Sequence, residues 1–522
     1  PLIMDLSMSE KLFKSTAIVS IMTFLSRILG FVRDIVIARL FGAGLGADVF
    51  FVAFKIPNFL RRLFAEGAFS QAFIPVLAEY RNRGDLDLKE LIANTSGTLA
   101  GILFIITAIG VLAAPVLIMV FAPGFIDSPD KIALAGDLLK ITFPYLFFIS
   151  LTALAGSILN SFGKFAVPAF TPVFLNLSMI SCALWLSPQL EEPVMALAWG
   201  VFIGGLVQLL FQIPFLINIK HLPKPRWGWK DSGVQKILKL MVPAMFGVSV
   251  AQINLLLDTV LASFLATGSI SWLYYSDRLV EFPLGVLGIA LSTVILPSLS
   301  KKHASASKVE FSHTIDWALR WVFIIGTPAA IGLIWLAEPL LLTLFQYGEF
   351  TPLDAHKASL SLMAYGLGLL PFIFIKILAP AYYARQDTKT PVKIGIIAMV
   401  TNMVLNIILM IQFAHVGLAL ATSLSAILNA GLLFIGLRKL GVYNPIAGWG
   451  RFIIKLLIAN ASLLALLMLL TPITSEWLSW AARQRVTVLF GLILSAAVIY
   501  FAVLALVGVK IKNLLKPKEA VD

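Results

Sequence analysis

Apolar runs long enough to cross a lipid bilayer recur along the whole of this 522-residue sequence. Hydrophobic residues make up 59% of the chain and charged residues only 13%, whereas an ordinary globular domain has about 25% charged residues. Inside a bilayer the backbone must satisfy its own hydrogen bonds, and an apolar run of about 20 residues does so as a helix. The sequence therefore predicts an all-α polytopic membrane protein.

Polar breaks divide these runs into fourteen predicted transmembrane helices. The predicted spans are 15–41, 47–79, 94–121, 134–160, 168–187, 193–218, 238–266, 270–299, 315–346, 358–383, 391–412, 415–437, 450–471 and 486–509. Lysine and arginine collect in alternate loops, including "KHLPKPRWGWKDSGVQK". Because cytoplasmic loops carry this excess, both termini are predicted in the cytoplasm. The same rule explains most of the net charge of +13, so no nucleic-acid partner is expected.

Turn and helix-break residues recur at one offset of 224 residues, which favours an internal duplication. The first set is Asp34, Gly44, Pro115, Gly124 and Asp130, and the matching set is Asp258, Gly268, Pro339, Gly348 and Asp354. Six spans in each repeat would give both halves the same orientation. The predicted domains are an N-terminal lobe at 1–222, a C-terminal lobe at 223–445, and two extra helices with a basic tail at 446–522.

Several function classes find little support in the sequence. The single cysteine, Cys182, excludes an intrachain disulfide, and the five histidines show no ligand-like spacing for a metal-dependent enzyme. No nucleophile motif accompanies the intramembrane acids Asp48, Asp277 and Glu281 that could act as acid–base groups. The chain is therefore expected not to be an enzyme, with a membrane enzyme acting on a lipid as the alternative from another class.

Charged residues inside predicted spans require an explanation, because each costs roughly 2.5–3.5 kcal/mol at mid-helix. They concentrate in the first two spans of each proposed repeat: Arg27, Arg33, Asp34, Arg39, Asp48, Lys55, Arg61, Arg62 and Glu66, then Asp258, Asp277, Arg278 and Glu281. One interpretation is pairing, of Arg33 with Asp34 and of Arg278 with a neighbouring acid. Arg39 and Arg62 lie near span ends and can reach the interface.

Ion pairs with neighbouring acids cannot neutralise all of the positive charge, because basic residues outnumber acids in the first two spans. Positive charge at membrane depth is tolerated where it lines water or meets an anion. Guanidinium groups grip phosphate with two parallel hydrogen bonds and stay charged when dehydrated. The pattern predicts a central, wet, cationic cavity that suits a diphosphate better than a drug cation or a neutral sugar.

Long segments of the chain resemble the MurJ (MviN) lipid II flippases of the multidrug/oligosaccharidyl-lipid/polysaccharide exporter superfamily. They include "SRILGFVRDIVIARLFGAG", "ADVFFVAFKIPNFLRRLFAEGAFSQAFIPVLAEY", "YYSDRLVEFPLGVLGIALSTVILPSLS" and "ARQDTKTPVK". The resemblance implies two six-helix lobes in a V around a central cationic cavity, and two C-terminal helices that shape a groove for a polyprenyl tail. It implies a flippase for lipid II, the undecaprenyl-diphosphate-linked peptidoglycan precursor. The lipid would move from the inner to the outer leaflet of the bacterial inner membrane by alternating access.

The same resemblance assigns residues to the substrate cavity. These are Arg27, Arg33, Asp48, Lys55, Arg61, Ser271, Asp277, Arg278 and Glu281. A candidate sodium site falls on Asp258, Asn402, Asn406 and Thr422. Asn406 stands where a relative has aspartate, which removes one negative charge, and interhelical hydrogen bonds between polar side chains are the alternative.

The resemblance also sets the expected partners. They are lipid II and membrane lipids, with the chain acting as a monomer and with no cofactor. The coupling ion would be Na⁺, or the membrane potential would drive transport. A flippase for another polyprenyl-diphosphate-linked oligosaccharide is the nearest alternative, because it would share the diphosphate.

Overall fold

The computed structural model describes residues 2–288, 295, 298–300 and 307–509, with side chains except those of 2–17, 65–66, 246–251 and 287–288. Every regular element in these ranges is helical, which confirms the all-α prediction. Residues 289–294, 296 and 297 of the predicted span 270–299 and the basic tail from residue 510 lie outside the described residues.

Twelve α-helices lie in the first part of the described chain. They are α1 (Leu2–Phe41), α2 (Leu45–Arg61), α3 (Ser70–Arg83), α4 (Asp85–Leu112), α5 (Ala114–Phe121), α6 (Pro129–Thr142), α7 (Tyr145–Ser161), α8 (Ala166–Phe170), α9 (Pro172–Ser181), α10 (Met195–Asn218), α11 (Ser232–Ala262) and α12 (Ser269–Pro283). A π-helical turn, Arg62–Phe69, joins α2 to α3, and two others follow α9 and α12 at Cys182–Leu186 and Leu284–Gly288.

Seven more α-helices follow in the described residues. They are α13 (Lys308–Trp335), α14 (Ala337–Leu344), α15 (Pro352–Tyr383), α16 (Lys389–Lys439), α17 (Trp449–Leu470), α18 (Thr474–Ser479) and α19 (Ala482–Leu506). Within the described ranges, nine helical segments are long and apolar enough to cross a membrane. The multi-pass prediction is therefore confirmed.

Helix α16 is a pair of arms rather than one rod. Its 51 residues would extend about 77 Å at 1.5 Å per residue, far beyond one bilayer. Ala414 breaks it with φ 50° and ψ −130°. An ideal Cβ on Gly417 would lie 2.2 Å from the Leu409 carbonyl oxygen, so only glycine permits this close approach of the arms. The break coincides with the polar break predicted between spans 391–412 and 415–437.

Helix boundaries repeat along the chain almost as the turn residues do. Helix α4 begins at Asp85 and α13 at Lys308, 223 residues later. The next pair, α5 and α14, begin at Ala114 and Ala337, again 223 residues apart, and each has eight residues. A one-residue difference from the sequence offset is within the uncertainty of helix ends. The agreement supports the proposed duplication.

Residues 1–270 and 271–522 form two compact units. In the first unit, α11 packs on α3 through an ion pair between Lys236 and Glu79. The hydroxyls of Tyr80 and Ser232, 3.3 Å apart, add a hydrogen bond. Helix α11, predicted to open the C-terminal lobe, thus contacts N-terminal helices. The predicted lobe boundary at 222/223 stays a prediction.

In the second unit, Asp316 of α13 anchors the start of α17. Its side chain is buried at 1% exposure. Its Oδ1 accepts hydrogen bonds from the Tyr443 hydroxyl at 2.9 Å, the Ile446 amide at 3.1 Å and the Trp449 indole at 2.6 Å. Its Oδ2 pairs with Arg320 Nε at 2.7 Å. One carboxylate therefore ties the segment before α17 to the core of this unit.

Candidate substrate-binding site

The first predicted cavity residues lie on α1, two turns apart. Arg27 is exposed, whereas Arg33 is buried with 7% of its surface exposed. Arg33 donates from Nε and Nη2 to Oδ1 of Asp34, at 3.0 and 2.7 Å. The pairing considered from the sequence is therefore present. A buried arginine is stable only with such compensation.

A residue that the sequence analysis did not select completes this cluster. Asn176 of α9 accepts from Arg33 Nη1 at 3.0 Å and donates from Nδ2 to the Ser26 carbonyl at 3.1 Å. The amide thus links α9 to two points of α1 and fixes the guanidinium plane. The sequence does contain a signal that could have identified Asn176, because an asparagine in the apolar run "FLNLSMIS" is a polar group at membrane depth.

Asp48, on the first turn of α2, holds the turn before α12. It is buried, with 2% exposed, and its Oδ2 accepts from the Gly268 amide at 2.6 Å. Gly268 has φ +100°, a conformation that favours glycine. Two more contacts hold this turn: Gly124 N donates to Ser263 Oγ at 3.0 Å, and Lys131 Nζ to Thr267 Oγ1 at 2.9 Å. In this structure Asp48 accordingly has a positioning role within the first unit.

Lys55 and Arg61 continue along α2 toward the π-helical turn. Lys55 is half-buried and lies seven residues after Asp48, so the two side chains share one face of the helix. Arg61, also half-buried, donates from Nε to Asn58 Oδ1 at 3.2 Å. The π-helical turn starts at the next residue. Insertions of this kind are frequent at functional sites, because they redirect the side chains that follow.

Four predicted cavity residues lie in the second unit, on α12. Ser271 is fully buried, whereas Asp277 and Glu281 are exposed. Arg278, with a third of its side chain exposed, donates from Nη1 to Glu281 Oε2 at 2.6 Å. It also stacks over the ring of Tyr274, with 4.9 Å from Cζ to the ring centroid. The guanidinium is thus oriented by its own helix while remaining partly accessible.

The four candidate sodium ligands divide between the two units, Asp258 in the first and three neutral side chains in the second. Asn406 Nδ2 donates to Asn402 Oδ1 at 3.0 Å, and Asn402 Nδ2 to Thr422 Oγ1 at 3.5 Å. Thr422 in turn donates to the Leu418 carbonyl at 3.0 Å. The Asn402–Thr422 contact joins the two arms of α16, and the Asn406–Asn402 contact lies within the first arm. The hydrogen bonds between polar side chains that the sequence offered as the alternative are present among these three residues, and the sodium site stays a prediction.

The comparisons with known proteins decide the family. The sequence profile of the lipid II flippase MurJ family matches residues 37–487. This chain belongs to that family. It is 56% identical over 518 residues to the probable lipid II flippase MurJ of Vibrio cholerae, covering 98% of this chain and 99% of the relative. The lipid II flippase MurJ of Burkholderia cenocepacia is 43% identical over 509 residues, covering 96% and 98%.

Solved structures agree with the MurJ assignment. A lipid II flippase MurJ in an inward closed conformation matches with a TM-score of 0.80 and 28% identity, covering 95% of this chain and 99% of that one. An inward-facing multidrug resistance transporter of the MATE family and MOP superfamily matches with a TM-score of 0.66 at 14% identity, covering 80% of this chain and 94% of that one. The second likeness concerns the fold alone. The first match agrees with the lipid II flippase family that the sequence motifs indicated.

Proposed function

We propose that this protein is a lipid II flippase, a transporter rather than an enzyme, working by alternating access. The observation that carries the proposal is 56% identity over 98% of the chain to a probable lipid II flippase. The chemistry of the described residues agrees with it. Arginines on α1, α2 and α12 suit a diphosphate, because the guanidinium forks match phosphate oxygens.

The proposed arrangement has fourteen spans, two six-helix lobes in a V around a cationic cavity, and two extra helices. Repeated helix boundaries and the two arms of α16 support this count. Lysines and arginines in alternate loops support cytoplasmic termini in the bacterial inner membrane. The proposed working form is a monomer among membrane lipids.

In the proposed cycle the cavity arginines capture the diphosphate from the cytoplasmic side. Arg27 is exposed and Arg278 has a third of its side chain exposed, and we assign both direct contact with the diphosphate. Lys55, Arg61, Ser271, Asp277 and Glu281 would line the same cavity. Arg33 is held by Asp34 and Asn176, so we assign it a fixed orientation in the wall. Bound anion would offset cationic repulsion and allow the cavity to close on one side and open on the other.

The membrane potential is the proposed source of direction. Moving a negative charge out of a negative interior is downhill by about 2.3 kcal/mol per charge per 100 mV. The emptied cationic cavity would be drawn back by the same field. Asn402, Asn406 and Thr422 are neutral and hydrogen-bond to one another. The proposed cycle therefore includes no step in which sodium binds.

Depletion of the protein in growing cells tests the function. Lipid II should accumulate in the inner leaflet, so that a probe added outside labels progressively less of it while total lipid II rises. Re-expression of the chain should restore outer-leaflet labelling. Accumulation of a different polyprenyl-linked oligosaccharide would overturn the lipid II assignment. Unchanged leaflet distribution of every polyprenyl-linked lipid would overturn the flippase.

A further inference from the structure

The long basic loop between α10 and α11, residues 219–231, lies across α4 and is fixed to it by hydrogen bonds. We call this loop the strap. Arg226 donates from its backbone amide to the Ala93 carbonyl and from Nε to Asn94 Oδ1, each at 3.0 Å. Its Nη2 pairs with Glu90 Oε1 at 2.7 Å. The Gly228 amide donates to Thr98 Oγ1 at 3.0 Å. Backbone and side chain together therefore fix residues 226–228 on the first half of α4.

Two glycines on α4 make room for this strap. An ideal Cβ on Gly97 would lie 2.3 Å from the Arg226 carbonyl oxygen, and one on Gly101 would lie 2.6 Å from the Trp227 ring. The spacing "GTLAG" commonly packs helix against helix, but here it receives a loop. Trp227 and Trp229 then stack with parallel rings, 6.3 Å apart and 12° between planes. Both indoles remain exposed at this edge of α4.

Beside the strap lies a cavity of about 460 Å³ within the first unit. Its walls come from α4, α7, α11, the π-helical turn after α2 and Trp229, and they are almost entirely apolar. Representative lining side chains are Phe69, Ile102, Leu238 and Met241. Val242 at its edge is 56% exposed. Since α4 is apolar enough to span the membrane, a hydrocarbon chain can enter from the bilayer.

Polar and charged groups in and around the cavity indicate which kind of lipid chain it binds. Thr95 and Ser150 line it, and their hydroxyl oxygens are buried and find no hydrogen-bond partner among the described residues. An ester carbonyl near the head of an acyl chain would satisfy them, and a prenyl chain offers no such acceptor. Lys239 at the rim and Lys230 on the strap are exposed. Neither forms an ion pair in the described ranges, unlike Lys236.

We propose that this cavity is a binding site for one acyl chain of an anionic membrane phospholipid. The apolar walls hold the chain, Thr95 and Ser150 donate to its ester, and Lys239 and Lys230 face its phosphate. Stacked Trp227 and Trp229 lie at the interface, where indoles are enriched. The bound chain fills the space between α4 and α11 and stabilises their packing. None of the residues proposed for the cationic cavity lines this site.

Photolabelling of the purified, delipidated full-length protein tests the site. The probe is phosphatidylglycerol with a diazirine in one acyl chain, and the adducts are mapped by peptide mass spectrometry. We expect adducts on α4 within 95–106 and on α11 within 234–245. Phosphatidylcholine with the same chain should label these peptides several-fold less, and Lys239→Gln should remove most of that preference.

Matched variants distinguish the cavity from the general lipid surface. Ile102→Trp fills the cavity and should reduce the adducts at least five-fold. Ile105→Trp, on the exposed lipid-facing side of the same helix, should leave them unchanged. Val242→Trp should block the opening of the cavity to the bilayer. Because Val242 is exposed, this variant is expected to fold and provides the same test if Ile102→Trp does not fold. Equal labelling of Val242→Trp and wild type would overturn the site. Preferential labelling by a diazirine polyprenyl phosphate would overturn the phospholipid.

Discussion

At the scale of single residues, substitutions of Arg278 distinguish the contribution of its positive charge from that of its planar guanidinium group. Lysine retains the charge but cannot form two parallel hydrogen bonds to phosphate. We expect Arg278→Ala to abolish growth of a strain that depends on this protein, and Arg278→Lys to restore it poorly. Membrane protein levels should stay normal in both, because the side chain is a third exposed. Arg438→Lys, at an exposed helix end, is the control. Full growth with Arg278→Lys would mean that charge alone suffices.

Arg33 tests whether a buried pair is structural, functional or both. Removing its guanidinium takes two donors from the buried Asp34 carboxylate, and breaking such a pair costs about 3–5 kcal/mol. Arg33→Met should therefore lower the melting temperature of the purified protein, and Arg33→Met with Asp34→Leu should recover most of it. If Arg33 also serves transport, the double variant stays inactive in cells. Recovered growth would assign it to stability alone.

At the scale of elements, the sequence predicted what local pattern controls. Apolar runs and polar breaks gave the helices, including the break near Ala414 in "QFAHVG". Partners far apart along the chain had no local signal. Asn176 lies 143 residues from Arg33 and Gly268 lies 220 residues from Asp48. The docking of the basic loop on α4 was not predicted either. The positive charge of that loop was already explained by its cytoplasmic location, so it gave no reason to expect a contact with α4.

The break in α16 gives a test at this scale. Gly417→Ala should force the arms apart, because its Cβ would meet backbone rather than a movable side chain. Overpacking of this kind costs about 1–3 kcal/mol, which a lower melting temperature reports. Gly431→Ala, in the second arm with open space around its Cβ, is the matched control and should be neutral or slightly stabilising. Equal melting temperatures would show that the arms do not need this close approach.

At the scale of the whole molecule, the proposed cycle makes transport depend on the membrane potential. A cationic cavity that exports a diphosphate and returns empty moves charge in both steps, so the field acts on each. In proteoliposomes containing lipid II, a potassium diffusion potential of about 100 mV contributes roughly 2.3 kcal/mol per charge moved. Outward flipping should therefore accelerate many-fold when the compartment corresponding to the cytoplasm is negative. Reversing the potential should slow it.

Replacement of sodium by choline at constant potential completes this experiment. The hydrogen-bonded set of Asn402, Asn406 and Thr422 is neutral, so we expect the rate to stay the same without sodium. Asn406→Asp restores a carboxylate to that set, and a rate that becomes sodium-dependent only in this variant would show that charge at this position determines ion use. A wild-type rate that follows sodium and ignores the potential would contradict the proposed driving force. Lipid II and diphosphate recognition would be unaffected by that outcome, because the cavity arginines are tested separately.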